Sequence, residues 1–192
     1  MNGVRNLGIL RQEHMRIFLD SSTLQTLQTY GEFIYDGGEL RKSYRIWSIP
    51  EGPENVDALR QLMILGSRGS IEFALSTNSL HEVQARGDIS YLDWAFEMMA
   101  YGDSCLDLYD STRNGSAGSA FSGRGRKIYK TINPAEFGYL SKKDFRLVLD
   151  AAMLECDYFL TMERKLPKNA GHIEARLGLR VVRPLELMNC LW

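Results

Sequence analysis

The sequence predicts an α/β protein with three layers, α/β/α, around a central, mostly parallel sheet. Three observations carry this. Short apolar runs of strand length alternate with longer segments whose apolar residues recur at helical spacing. The strand-like runs are mostly apolar, with consecutive apolar residues such as Ile17-Phe18-Leu19 and Tyr158-Phe159-Leu160, as expected of strands covered on both faces. The 192 residues fit a single domain, 1–192, and no internal repeat divides them.

The elements follow in order. Met15-Arg16-Ile17-Phe18-Leu19, closed by Asp20, is a buried strand. In the stretch SSTLQTLQTYGEFIY, Leu24, Leu27 and Phe33–Ile34 recur at roughly helical spacing. Residues 36–53 form a loop punctuated by Gly37–Gly38, Pro50 and Pro53. A helix over 55–65 sets Val56, Leu59, Leu62 and Met63 on one face, and the Gly-Ser-Arg-Gly stretch at 66–69 ends it. Ile71–Leu75 is a second strand, followed by a turn at 76–78 and a helix carrying Leu80 and Val83.

A third helix spans 89–108, with Leu92, Phe96, Met99 and Ala100 on one side. Residues 113–130 differ in kind: half of 113–126 are Gly or Ser and no acid occurs, which predicts a flexible inserted loop. The helix over 145–156 is strongly patterned, with Leu147, Val148, Ala151, Ala152 and Leu154 buried. A strand at 157–161 and a short helix or turn through Leu166 and His172 come next. The last strand covers 179–182, and Pro184 opens a final helix at its first position.

Composition narrows the classes. Apolar residues make up 44% and charged residues 24%, which excludes wholesale disorder, a collagen-like chain and a disulfide scaffold. No apolar run approaches the ~18 residues that span a bilayer, and the N-terminal stretch is too short for a secretory signal. Cys105, Cys156 and Cys190 have neither CxxC nor zinc-ligand spacing and are expected as reduced, mostly buried thiols. The expectation is a cytoplasmic protein with no membrane partner. Lys and Arg number 23 against 24 Asp and Glu, so nucleic acid is not bound by bulk charge. The near-neutrality conceals a division, with a charge of +5 at 113–130 and −6 elsewhere.

In open parallel sheets ligands bind beyond the carboxyl ends of the strands. Asp20 ends the first strand, Glu82 lies in the helix after the second, and Thr161 and Glu163 follow the third. Asp157 stands at that third strand's start, and Asp144 begins the helix that feeds it. Carboxylates crowded together stay ionised only beside a cation. Hard divalent ions such as Mg²⁺ or Mn²⁺ take oxygen ligands, and they support hydrolysis of phosphodiesters.

Plainer roles fit the same residues. Ser79-x-x-Glu82 and Ser141-x-x-Asp144 match helix capping boxes. Asp20 suits an N-cap before Ser21, and Glu163 suits a solvated surface acid. Asp150 lies six residues past Asp144, about 120° away around the helix, and is assigned to solvent.

The stretch from Lys143 to Leu166, KDFRLVLDAAMLECDYFLTMERKL, resembles the C-terminal motif of the PIN-domain family. There an acid opens a helix with small residues in its middle. An Asp, an apolar strand ending in Thr, and an acid two residues later follow. MRIFLDSSTL resembles that family's first strand, IEFALSTNSLHEV the segment bringing its helical Glu, and LGLRVVRPLELM its last strand and helix.

The resemblance implies a PIN-like α/β/α fold and a Mg²⁺- or Mn²⁺-dependent ribonuclease. The metal site it implies is Asp20, Glu82 and Asp144 with Asp157 or Glu163, and catalysis is assigned to Asp20, Glu82, Asp144 and Asp157. Ser21, Ser22 and Thr161 are the implied polar groups around these ligands. Glu163 departs from the family, where Asp is usual, and its extra methylene moves the carboxylate outward. The resemblance also implies RNA as substrate, a homodimer and, from the family's VapC-type toxins, an antitoxin-like partner. The alternative is a PIN-like module that binds RNA or protein without cleaving.

Other motifs fail. His81-Glu82 is not followed by a second His at HExxH spacing, and Gly123-Arg124-Gly125-Arg126-Lys127 lacks the ending of a P-loop. The three His residues give no visible Ser-His-Asp set. Arg113, Arg124, Arg126, Lys127 and Lys130 are the expected RNA-phosphate contacts, with Phe121 or Tyr129 stacking on a base.

Overall fold

A computed structural model of the chain describes residues 15–69, 71–84, 89–112 and 123–192. Four strands, β1 (Met15–Leu19), β2 (Ile71–Ala74), β3 (Tyr158–Leu160) and β4 (Arg180–Val182), form one sheet. Their order is β2-β1-β3-β4 and every pairing is parallel. Ile17 pairs with Phe73 on one side and Tyr158 on the other.

Helices cover both faces, giving the three-layer α/β/α fold the sequence predicts. They are α1 (Ser21–Thr29), α2 (Gly31–Ile34), α3 (Gly52–Ser67), α4 (Thr77–Gln84), α5 (Asp93–Thr112), α6 (Gly123–Thr131), α7 (Lys142–Met153), α8 (Ala170–Leu177) and α9 (Pro184–Leu191). No helix among the described residues is long and apolar enough to cross a membrane.

Alternation along the strands divides the core in two. Ile17, Leu19, Phe73 and Leu160 join Leu24 of α1, Leu59 of α3, Leu80 of α4 and Leu187 of α9. Phe18, Phe159 and Val181 face the other way, against Val148 and Ala151 of α7 and Ile173 of α8. Phe18 and Phe159 stack with ring centroids 5.5 Å apart. Helix α5 touches both cores, Ala95 in the first and Cys105 in the second. Between them, a Cβ on Gly102 would sit 1.9 Å from the Leu75 carbonyl oxygen, so only glycine allows α5 to cross the end of β2. Cys105 and Cys156 are buried, Cys190 is exposed, and all three are free thiols.

Several boundaries shift from expectation, α5 to Asp93–Thr112 and α7 to Lys142–Met153 among them, and two further differences have a clear physical reason. α3 starts at Gly52, because Pro53 is tolerated in a first helical turn that needs no donor there. The second difference corrects the predicted loop: residues 123–131 form α6. Ile128 is buried against the second core, the Gly125 N–H donates to Glu155 Oε1 at 3.1 Å, and Thr131 Oγ1 donates to the Lys127 carbonyl. These contacts outweigh the low helix propensity of its glycines. Residues 113–122, including Arg113 and Phe121, lie outside the described residues.

Candidate active site at the carboxyl edge of the sheet

Because all four strands run the same way, the residues that follow them gather on one edge. Asp20 follows β1, Ser76 and Thr77 lie just past β2, Thr161 follows β3, and Arg183 follows β4. The sheet register sets Asp20 beside Thr161: the Asp20 N–H donates to the Leu160 carbonyl at 3.2 Å, and the Thr161 N–H to that of Val182 at 3.1 Å.

Asp20 is only 5% exposed. It caps α1 by accepting the Thr23 N–H on Oδ1 at 2.7 Å. Ser22 Oγ donates to both carboxylate oxygens, at 2.8 and 2.9 Å, and lies 3.2 Å from Thr161 Oγ1. Ser22 Oγ also accepts the Met162 N–H at 2.9 Å, and Thr161 Oγ1 accepts the Glu163 N–H at 3.0 Å. Two hydroxyls therefore lock the turn after β3 onto Asp20. Ser21 makes only a long 3.5 Å contact to the Asn78 carbonyl. Burial pushes the Asp20 carboxyl up, against the pull of hydrogen bonds from Thr161, Thr23 and Ser22.

Glu163 lies on the same rim. Its carboxyl is raised first by burial and then by the charges of Asp20 and Asp144, with Lys165 and Lys143 acting in the opposite sense. Asp144 is half-buried in the first turn of α7. Its carboxylate accepts from Ser141 Oγ at 2.8 Å, and its N–H donates back to Ser141 Oγ at 3.1 Å, as a helix cap does. The cap expected at Ser79 is different: α4 begins at Thr77, and Ser79 Oγ accepts from the Ser76 N–H. Glu82 belongs to α4, and its side chain lies outside the described residues.

Asp157 is not on this rim. Its Oδ2 accepts the Arg16 N–H at 2.9 Å and its carbonyl accepts the Arg180 N–H, both at the amino edge of the sheet. Arg16 precedes Asp20 by four strand residues, roughly 13 Å at strand rise. Asp157 cannot share an ion with Asp20, and its assignment as ligand and catalyst is corrected.

Asp150 also needs correction. It is 7% exposed, accepting Ser76 Oγ and Asn78 Nδ2, each at 2.7 Å. It does face away from Asp144, but that face packs on the turn after β2. The overlooked signal is its neighbours one helical turn away, Leu147 and Leu154, both in the core. Asp103 of α5 accepts the Thr77 N–H at 2.9 Å and the Thr77 hydroxyl. Asp103 and Asp150 line a cavity of about 670 Å³ with Lys142 and Arg146 at the start of α7.

Of the expected RNA contacts, Arg124 is engaged in the fold: its guanidinium donates to the Leu177 carbonyl at 3.1 Å and that of Gly178 at 2.6 Å, closing the end of α8. Lys127 and Lys130 are exposed on α6, where Tyr129 reaches the 670 Å³ cavity, and the Arg126 side chain lies outside the described residues.

The rim offers a hard divalent ion the donors it takes, namely carboxylate oxygens with neutral hydroxyls holding the buried one in place. Among the described residues, no three His, Cys, Asp or Glu side chains already close on a common point. The coupling of Asp20, Asp144 and Glu163 acts through space instead. Comparison with protein-family models, with curated proteins and with solved structures finds no match.

Proposed function

We propose that this protein is a PIN-like ribonuclease dependent on Mg²⁺ or Mn²⁺. The observation that carries the proposal is Asp20. It is a carboxylate buried at the carboxyl end of a parallel strand, and its hydrogen-bond partners among the described residues are neutral groups. Such a charge is costly without a cation, and a second acid, Glu163, is electrostatically coupled to it and to Asp144. Asp20, Asp144 and Glu163 would hold the ion with Glu82, and Asp157 is not among them.

A bound divalent ion lowers the pKa of water and offsets charge on a phosphodiester. Ser22 and Thr161 keep both Asp20 oxygens oriented. Hydrolysis forms a P–O bond to the water oxygen, breaks the bond to the leaving ribose oxygen, and transfers one water proton. That proton would pass by way of solvent water to the leaving ribose oxygen, because Glu163 is counted among the residues that would hold the ion.

The test is cleavage of structured and single-stranded RNA with Mg²⁺ or Mn²⁺ and with chelator. Asp20→Asn should lower the rate by at least about 100-fold, as loss of a metal ligand does. Cleavage that survives both chelation and this substitution would remove the proposal. The Asp144 cap favours a second reading, a PIN-like module that binds RNA without cleaving it. Calorimetry separates the two: tight divalent binding, lost in Asp144→Ala, counts against the second. A cytoplasmic homodimer and an antitoxin-like partner belong to the family expectation alone.

A further inference from the structure

Past Asp20 the carboxyl edge changes character. A pocket of about 390 Å³ opens between α1 and the 3₁₀ turn Arg45–Ser48, bordered by Ser22 and Glu163 of the rim itself. Its walls include the apolar groups of Ile46, Ile49 and Met162. The exposed arginines Arg45 and Arg164 line it as well. Neither guanidinium is paired with a carboxylate among the described residues, whereas Arg183 next to them is held by Glu51 at 2.8 Å and Glu186 at 3.1 Å.

The half-buried side chain of Gln25 also faces this pocket and makes no hydrogen bond to a described residue. Beyond Arg164 a second hollow continues past Lys165 and Lys168.

An acidic rim alone repels a polyanion, and cations beside it restore attraction. An apolar wall with an uncommitted amide suits a nucleobase, since unpaired bases are read by contact with their faces and hydrogen bonds to their edges. We propose that this pocket holds one unpaired nucleotide of RNA immediately beside the scissile phosphate. The base lies against Ile46 and Met162 with the Gln25 amide at its edge, and the phosphate sits between Arg45 and Arg164. The strand then follows Lys165 and Lys168. This rests on the reading of the rim as a site of phosphodiester cleavage, and it moves the RNA path away from α6.

The experiment is fluorescence anisotropy of a short labelled oligouridylate in chelator, across a range of salt concentrations. Arg45→Ala and Arg164→Ala should each weaken binding and lower the salt slope by about 0.7. Lys127→Ala with Lys130→Ala should change little. Gln25→Ala should weaken the oligouridylate while leaving an abasic strand of equal length unaffected, and wild-type protein should prefer the strand with bases. The exposed positions of the arginines keep these variants folded, which circular dichroism checks.

No binding by wild-type protein, unchanged binding in the pocket variants, or loss only in the α6 pair would overturn the pocket. Equal affinity for the abasic strand would overturn the base assignment. Cleavage with Mn²⁺ is scored separately. Pocket variants that lose binding in a protein that cleaves nothing would leave the pocket standing and the ribonuclease reading fallen. Intact binding in variants of an active enzyme would do the reverse.

Discussion

Asp150 is the polar residue on which the junction of α4, α7 and β2 depends. Its carboxylate alone receives the Ser76 hydroxyl and the Asn78 amide. Asp150→Ala leaves both donors without their acceptor and should destabilise the protein by about 1–3 kcal/mol in urea titrations. Asp150→Asn keeps an acceptor oxygen and removes the buried charge. Burial raises the Asp150 carboxyl, with hydrogen bonds from Asn78 and Ser76 opposing. A raised acid binds its proton more tightly in the folded state, so its contribution is lost as pH rises through the folded value. Asp150→Asn should therefore gain on wild type as pH rises from about 4 toward neutrality, and a constant difference over that range would contradict this.

At the scale of elements, Gly102 is the tightest constraint. A methyl there would collide with the Leu75 carbonyl, so Gly102→Ala must push α5 off β2. A loss of roughly 1–3 kcal/mol is expected from thermal melts. The four strands and the helices around them were legible in the sequence, because apolar runs and helical periodicity report burial directly. α6 was not, because its stability comes from Ile128 and the partners of Arg124 and Gly125, contacts distant in sequence. The candidate site was legible to the same limit. Asp20, Thr161 and Glu163 follow strands and so reach the rim by topology alone. Asp157, four residues earlier than Thr161, lies on the other edge, a distinction that depends on where β3 begins. Arg45 comes from a turn inside a segment read as loop, and no periodicity points to it.

For the whole molecule, Asp20, Asp150 and Glu163 all have raised carboxyls, so their joint contribution to stability falls as pH increases above the ordinary carboxylate range. A divalent ion at the rim would displace protons from Asp20 and Glu163 and leave Asp150 as it is. Denaturation in chelator should show this decline, and Mn²⁺ should reverse most of it in wild type but not in Asp20→Asn. Identical pH profiles with and without Mn²⁺ would deny the ion a place at the rim. The passage of α5 across β2 has its own consequence. The sheet separates two apolar clusters that could in principle melt one before the other, yet a single helix is rooted in both, with Ala95 in one and Cys105 in the other. Detaching either end of α5 strips cover from the same strand edge. The two halves are thereby tied into one cooperative unit, and the rim that they jointly support is lost or kept as a whole.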